Sequence, residues 1–453
     1  MKKREFLAMG GAVPLMLAGC GGSGSGSAPV RLVNASVGYP LLGFMVESTQ
    51  ATTADVAYGA TSPYENVQAG AVGITLTVGN QSATAAQVRT VNKDSRYSLV
   101  AYGVLNGLRL ALVTESTVTP DAGKANVNVL NTSVDIGPVD VYLSTGKDLS
   151  AATLIASSIQ ASSTSPAQSA FAPILAGSYY VTVVGANSIA QGLSDVRFQT
   201  PAAITLTALQ VLTIVLTPGG GGVLANAIML TQGTTGTATS YLNSTARVRA
   251  VTAIPGPSIS VVGATAAGTA VTVLAPSTTQ QYSNYFVVGT GAPPVVMVGG
   301  APVPVVMDNA TGTSEIAALL AAGGDYTLMV YLDASQVPKG KLIADDNTAP
   351  VTSSGLKFRL INLASNNQGL QLSMLVNKLT IASNITYATA SKYKEISVPQ
   401  GTSSTVQVNN GAQAIISETS PLTLPNIFTE IVVSVDPTTG KVLSFFSSAS
   451  GSD

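Results

Sequence analysis

The side chains with which this chain could do chemistry are few. No histidine occurs in its 453 residues, which excludes a Ser-His-Asp arrangement and removes the commonest general base and zinc ligand. The 22 aspartates and glutamates are then the main groups on which catalysis would depend. A glycosidase of that kind needs two carboxyl groups that face each other across a cleft.

Two pairs of aspartates are candidates, one for such a catalytic site and one for a metal site. Asp345 and Asp346 are adjacent, so on a strand their side chains point to opposite faces, and a solvated strand end is the favoured interpretation. Asp135 and Asp140 flank Gly137-Pro138 and have oxygens to offer a calcium ion, but EF-hand spacing is absent, which favours turn and edge residues. We therefore expect no catalytic residue, no metal site and no cofactor.

The only cysteine, Cys20, follows a segment with the features of an export signal. Basic residues at positions 2–4 precede an apolar run over 6–17 and the small pair Ala18-Gly19. This run is too short to cross about 30 Å of hydrocarbon as a helix, which takes about 20 residues. Leu17-Ala18-Gly19-Cys20 resembles the lipobox of bacterial lipoproteins, in which the chain is cut before the cysteine and the thiol acquires fatty acyl chains such as palmitate.

This resemblance implies a signal peptide over residues 1–19 and lipidation of Cys20, which leaves no thiol for catalysis or metal binding. Two or more acyl chains hold a protein stably at a membrane. Gly21 after the cysteine points to the outer membrane, so we expect a lipid-anchored protein of the cell envelope. Residues 3–7 are compatible with export by the secretory route and by the twin-arginine route. The sequence does not decide between the periplasmic and the exterior face of the membrane. The Gly/Ser-rich residues 20–29 are predicted to be a flexible tether.

Charge is scarce along the whole chain. Charged residues make up 9% of it, against about 25% in ordinary soluble domains, and the net charge is −1. Nucleic-acid binding needs clustered lysines and arginines that displace counterions from phosphates, so nucleic acid is excluded as a partner. With no disulfide available, each domain must be held by burial and backbone pairing.

A strand pattern recurs four times, at residues 30–34, 127–131, 248–252 and 358–362. In each copy the first and third residues are apolar and the second is polar, which predicts a strand with one face in a core. The second residues are expected to face water; they are Arg31, Asn128, Arg249 and Arg359.

A second signature is an aromatic residue followed by a short apolar strand and a glycine. The aromatic residues are Tyr64, Phe171, Tyr285 and Tyr393, and the glycines are Gly70, Gly177, Gly291 and Gly401. The glycines are expected to supply a positive φ at a turn. The tyrosines are interpreted as core or corner residues rather than platforms for carbohydrate.

Each copy closes with a predicted hairpin. The paired segments are 97–102 with 108–113, 212–216 with 223–230, 326–332 with 341–344, and 431–435 with 442–446. The glycines at 219–222 lie in the second of these, and a hairpin loop is favoured over a phosphate loop because no Lys-Ser or Lys-Thr follows.

These patterns predict an all-β chain of tandem antiparallel β-sandwiches, immunoglobulin-like or transthyretin-like, with very little helix. The predicted domains cover residues 30–118, 119–235, 240–347 and 355–448. One helical turn is expected at 315–320, before the stop at Gly323-Gly324. The proline-rich segments 293–297 and 304–307 in the third copy are interpreted as an added hairpin around Gly299-Gly300.

Several short motifs carry a resemblance to a known family. They include the run 31–36 (RLVNAS), the run 139–142 (VDVY), Ser62-Pro63-Tyr64 and Asp325-Tyr326-Thr327. With their repeated order, the chain resembles the bacterial domain of unknown function family 4397, which is found in tandem in exported and cell-surface proteins. The family has no assigned catalytic residue, so none is carried over.

The sequence therefore favours a non-enzymatic, lipid-anchored envelope protein with a structural, adhesive or protein-interaction role. One alternative is a module that binds an extracellular polysaccharide or other ligand through loops at one end of each sandwich. A hydrolase that uses carboxylates alone is a further alternative. The expected partners are the membrane, through the anchor at Cys20, and a surface protein or glycan that the sequence does not identify.

Overall fold

The computed structural model describes fifteen stretches of the chain, which are residues 26–51, 54–79, 81–162, 164–187, 195–233, 236–252, 254, 256–278, 281–308, 314–350, 355–364, 371–397, 403–421, 428–435 and 442–447. None of these residues is helical, which confirms the predicted all-β class. Cys20, the predicted signal peptide and residues 20–25 of the predicted tether lie outside the described residues. Over the described ranges there is no helix able to cross a membrane.

The strands of the described residues form eight sheets that occur in pairs along the chain, and each pair is called a unit. Unit 1 contains β1 (Ser27–Ser36), β2 (Leu41–Val46), β3 (Thr49–Gln50), β4 (Val56–Ala57), β5 (Glu65–Gln68), β6 (Gly70–Val78), β7 (Gln81–Ser82), β8 (Gln87–Val91), β9 (Tyr97–Gly103) and β10 (Arg109–Thr114). Unit 2 contains β11 (Lys124–Asn131), β12 (Val139–Ser144), β13 (Thr153–Ile159), β14 (Ala167–Gln168), β15 (Ala172–Leu175), β16 (Gly177–Gly185), β17 (Val196–Gln199), β18 (Ile204–Leu206), β19 (Val211–Pro218), β20 (Ala225–Thr231) and β21 (Ala238–Tyr241).

The second half of the chain has the same construction. Unit 3 contains β22 (Thr245–Thr252), β23 (Ile259–Ala264), β24 (Ala270–Ser277), β25 (Gln281–Tyr282), β26 (Phe286–Gly289), β27 (Val295–Val298), β28 (Ala301–Val303), β29 (Val305–Asp308), β30 (Glu315–Ala317), β31 (Asp325–Leu332) and β32 (Pro338–Asp345). Unit 4 contains β33 (Gly355–Leu363), β34 (Leu372–Val376), β35 (Leu379–Ile385), β36 (Thr389–Ala390), β37 (Lys394–Ser397), β38 (Ser403–Asn410), β39 (Gln413–Pro421), β40 (Phe428–Val435) and β41 (Val442–Ser447).

Each unit has the same central connection in its first sheet. The opening strand pairs in parallel with the first strand of the closing hairpin, as β1 does with β9, β11 with β19, β22 with β31 and β33 with β40. The second strand of that hairpin is antiparallel to the first. The four hairpins that the sequence predicts are therefore confirmed, and the parallel pair is an addition to the antiparallel sheets that they indicated.

The core of each unit lies between its two sheets. In unit 1, Leu32 and Leu99 of the first sheet pack with Phe44 and Ile74 of the second, and all four side chains are fully buried. Burial of such a side chain contributes about 1.5–3 kcal/mol. Because no disulfide links the sheets, these apolar cores stabilise the sandwiches.

The domain boundaries remain predictions, and the sheets give two facts that bear on them. Strand β1 begins at Ser27, inside the predicted tether. Strand β21 extends unit 2 to Tyr241 by pairing with β20.

Three local expectations are wrong. The segment predicted as a helical turn at 315–320 contains strand β30, which pairs with β29 at the edge of a sheet. The proline-rich segment forms the predicted hairpin β27–β28 around Gly299-Gly300, but this hairpin is not an addition, because β27 pairs with β23 as β6 pairs with β2 in unit 1. Gly70 and Gly291 have the expected positive φ, whereas Gly177 does not, and Gly401 lies outside the described residues.

Candidate functional site at the interfaces between units

The recurring arginines of the opening strands do not face water. Arg31, Arg249 and Arg359 are 0%, 2% and 1% exposed and are among the largest fully buried side chains of the described residues. The expectation of solvent exposure is wrong because the outer face of each first sheet is covered by a neighbouring unit. A buried charge is costly unless it is paired and hydrogen-bonded, so the surroundings of each arginine are decisive.

Arg31 joins unit 1 to unit 2. Its Nε donates to Ser98 Oγ at 2.9 Å, and its Nη2 lies 2.9 Å from Glu115 Oε1 within the same unit. Its Nη1 and Nη2 also donate to the carbonyl oxygens of Gly236 and Thr231, each at 2.9 Å, and both carbonyls belong to the segment that ends unit 2. One guanidinium is thus neutralised in its own unit and bonded to the next.

Asp345 plays the corresponding part between units 3 and 4. Its carboxylate accepts hydrogen bonds from Arg359 Nη2 at 2.5 Å, from Tyr285 at 2.5 Å and from Thr327 at 2.8 Å. Arg249 Nε is 3.8 Å away and donates to Thr327. Burial alone would raise the pKa of Asp345, but Arg359 and Arg249, with the hydrogen bonds, outweigh it and hold the pKa below its ordinary value.

The recurring tyrosines lie against these arginines. The guanidinium carbon of Arg31 is 4.9 Å from the ring centre of Tyr64, and the distances for Arg249 to Tyr285 and for Arg359 to Tyr393 are 4.5 and 4.6 Å. These are cation–π contacts. In unit 2 the tyrosine is replaced by Phe171 and the arginine by Asn128. The two sequence signatures are therefore one structural feature, and these tyrosine rings are partly buried rather than open platforms.

Unit 2 has an uncharged version of the same network. Thr213 donates to Asn128 Oδ1 at 2.8 Å, and Gln232 Nε2 donates to Thr213 at 2.9 Å. Gln232 Oε1 in turn accepts the Ser116 amide at 2.8 Å, which again connects units 1 and 2.

Apolar side chains complete both interfaces. One buried cluster contains residues of units 1 and 2, which are Val33, Ala35, Val100, Tyr102, Val113, Leu130, Val215, Ile228 and Leu230. A second contains residues of units 3 and 4, which are Val251, Met329, Tyr331, Ile361, Leu363 and Ala388. The first sheets of these units are therefore buried on both faces.

The junction between units 2 and 3 is different in kind. No apolar cluster of the described residues contains buried side chains from both units. The glycine-rich loop at 219–222 makes the contact through its backbone, because the Gly221 amide donates to Gly323 O at 3.1 Å and Gly221 O accepts the Asn347 amide at 2.9 Å. The loop is the predicted hairpin loop between β19 and β20, and its use as a contact between units was missed by the sequence.

A cleft of ≈ 610 Å³ opens at this junction. Unit 2 contributes strand β17 and Lys147, and unit 3 contributes strand β26 and the loop at 265–267. Neither β17 nor β26 has a described strand on its outer side. The cleft therefore presents two sheet edges and a mixture of amide, hydroxyl and charged side chains.

The aspartates named from the sequence lie in separate contacts. Asp345 is buried in the arginine network and is not at a solvated strand end, whereas Asp346 is exposed and pairs with Lys357. Asp140 accepts the Ser158 and Asn187 amides at 2.8 and 3.0 Å. Asp135 accepts the Ala349 amide at 2.5 Å, so the two carboxylates serve separate contacts. The described residues contain no group of three or more acidic or cysteine side chains that could hold a metal ion.

The fold and its interfaces define a class of protein: tandem two-sheet β units joined by buried contacts. Residues 28–142 match the family model described as Domain of unknown function (DUF4397), so a DUF4397-like domain lies in this stretch. No curated protein matches the chain significantly.

Among solved structures, 12 chains match. One is the Bacillus anthracis TIE protein, with 12% sequence identity, a TM-score of 0.14, and coverage of 91% of this chain and 69% of that one. A TM-score this low carries no argument about function.

Proposed function

We propose that this protein is a non-enzymatic, lipid-anchored component of the bacterial cell envelope, with a structural, adhesive or protein-interaction role. The observation that carries the proposal is the burial of charged networks between units, since Arg31 and Asp345 each bind groups of two units. Such contacts favour fixed relative positions, which suit a protein that presents a surface to a partner.

The state of the carboxylates supports a non-enzymatic role. A catalytic acid needs a raised pKa and access to substrate. Asp345 has a lowered pKa and is buried. Glu115 is buried and bound by Arg31, Ser98 and Tyr64. These two acids are therefore suited to holding units together.

Attachment through Cys20, with the outer membrane as the location, completes the proposal. Its test is metabolic labelling of the full chain with a fatty-acid analogue, alongside Cys20→Ser. The label is expected in the membrane fraction of wild-type cells, and the variant is expected to lose both label and membrane association. Protease treatment of intact cells then distinguishes the two faces, because the protease cleaves a protein on the exterior face and does not reach one on the periplasmic face. An unlabelled wild-type protein would overturn the anchored role.

A second candidate function is ligand binding, which the cleft between units 2 and 3 favours. Its volume lies within the range of about 300–1,000 Å³ typical of small-molecule sites. Its test is a glycan array probed with the wild-type protein and with Asn284→Ala, since Asn284 lines the cleft and is exposed. A signal that the variant loses would favour this function, and identical arrays would count against it.

A further inference from the structure

The opening strand and its parallel partner can be aligned residue by residue between units, at the positions near the recurring tyrosines. In unit 3, Arg249 pairs across the parallel strands with Thr327, and two residues earlier Arg247 pairs with Asp325. In unit 1, Arg31 pairs with Ser98. Counting back two residues from that pair reaches Pro29 and Arg96. Arg96 thus occupies, with opposite charge, the place that Asp325 has in unit 3.

In unit 3 the cation opposite this place, Arg247, is neutralised. The guanidinium of Arg247 lies 4.5 Å from the ring centre of Tyr285. It binds the Asp325 carboxylate with both Nε and Nη2, at 2.8 and 2.5 Å. This is the two-pronged geometry that arginine forms with a carboxylate.

Unit 4 follows the same rule. Counting back two residues from Arg359 reaches Lys357, whose Nζ lies 3.0 Å from Asp346 Oδ2. In units 3 and 4 the cation two residues before the recurring arginine is therefore paired with a carboxylate.

Unit 1 has Pro29 at that place, and its cation Arg96, on the opposite strand, has no salt bridge with a described carboxylate. Arg96 lies 5.3 Å from the ring centre of Tyr64 and donates no hydrogen bond to a described residue. Its Nε is buried and has no partner there. Glu115, which also contacts Tyr64, is already bound by Arg31 and Ser98 and accepts the Gly233 amide. The Arg96 side chain as a whole is half-buried, and a guanidinium there without an acceptor can take an ion or ligand as its counter-charge.

A pocket lies directly at this side chain. It has a volume of ≈ 360 Å³ and lies where unit 1 meets Gly236; its lining residues are Pro29, Ser62, Pro63, Tyr64, Asn66, Arg96 and Gly236. The two prolines give apolar walls, and the exposed amide of Asn66 offers a donor and an acceptor.

We propose that this pocket binds the carboxylate of a sugar acid of the uronate class. The carboxylate takes the part that Asp325 has in unit 3 and is held by the fork of Arg96. The sugar ring lies against the prolines, and a ring hydroxyl bonds to Asn66. An aliphatic acidic side chain has no hydroxyl that could make this hydrogen bond. This inference goes beyond the structural role proposed above and does not depend on it.

The experiment is calorimetric titration of the purified full chain with sodium glucuronate. We expect saturable binding at one site that weakens with added salt, and no binding of glucose, which lacks the carboxylate. Arg96→Gln is expected to weaken binding by about tenfold or more, since a hydrogen bond to a charged group is lost. Arg96→Lys keeps the charge but not the two-pronged geometry. Its affinity for glucuronate is expected to lie between those of the wild type and Arg96→Gln.

The matched control is Arg109→Gln, which removes an exposed arginine from the same unit outside the pocket and is expected to leave the affinity unchanged. Equal melting temperatures for wild type and Arg96→Gln would show that the fold is intact. Glucuronate binding that Arg96→Gln leaves unchanged, or no saturable binding at all, would overturn the proposal. Tighter binding of N-acetylglutamate amide than of glucuronate would overturn the sugar-acid assignment.

Discussion

Arg359 of unit 4 and Asp345 of unit 3 form an ion pair across the boundary between their units, with Nη2 and Oδ1 2.5 Å apart and both side chains buried. Asp345 ends strand β32 and Arg359 lies in the middle of β33, so the pair joins the last strand of one sandwich to the first strand of the next. The stability of the two units is coupled through it.

Asp345→Asn is expected to lower the free energy of unfolding of units 3 and 4 by about 3–5 kcal/mol, because it removes the buried carboxylate charge that Arg249 and Arg359 share. Denaturant unfolding measures the loss. The adjacent Asp346→Asn serves as the control, since that side chain is half-exposed and its pair with Lys357 contributes about 1 kcal/mol or less. Equal effects of the two substitutions would contradict the assignment.

Stability should depend on pH through the same carboxylate. The pKa of Asp345 is lowered in the folded state, so its contribution is present above the ordinary aspartate pKa of about 3.9 and is lost as the pH falls through the folded value. Unfolding midpoints measured between pH 7 and pH 2 are expected to fall most steeply at the acid end. Asp345→Asn should have a flatter profile there, and an identical slope in the variant would refute the linkage.

The apolar contact between units 1 and 2 predicts a second effect on stability. Ile228 is fully buried in the cluster shared by these units. Ile228→Ala is expected to cost about 2–5 kcal/mol and to expose the boundary between the units to limited proteolysis. Ile316→Ala, at an exposed position in β30, is the control and should change neither measurement. Cleavage at the same rate in both variants would argue against a shared core.

The glycine-rich loop predicts a steric effect at the junction of units 2 and 3. A Cβ at Gly222 would lie 2.1 Å from Asp325 Oδ2, an atom that Arg247 and Asn347 hold in place. Gly222→Ala is therefore expected to destabilise the junction by about 1–3 kcal/mol. Gly107→Ala, where the new Cβ would meet nothing closer than 3.4 Å, is the comparison. Thermal unfolding of the two variants at one protein concentration checks the difference.

The sequence predicts the elements of the fold well where the signal is local. Period-two alternation located the opening strands, and the turn residues located all four closing hairpins. Alternation also assigned one face of each opening strand to a core. It carries no information about whether the other face meets water or another sheet. For this reason the pattern alone places Arg31 and Arg359 at the surface.

The partners of these arginines could not be predicted from local sequence patterns. Ser98 and Thr327 lie far along the chain from Arg31 and Arg249, and the parallel strand pairing brings them together. One signal was present in the sequence: arginine and tyrosine occur together in copies one, three and four, and both are absent in copy two. Read as a covarying pair, they would have indicated the contact.

The parallel pairing inside each unit also sets how such proteins can gain or lose domains. Since β1 and β10 run in opposite directions on either side of β9, the chain enters and leaves unit 1 at the same end, and units 3 and 4 repeat this path. Units 1 and 2 lie face against face, as do units 3 and 4. Removing unit 4 alone would strip the cover from Val251 and Met329, so a chain ending after residue 350 should self-associate in light scattering, whereas one ending after Tyr241 should stay monomeric. Gene duplications that preserve solubility are thus expected to add domains by twos.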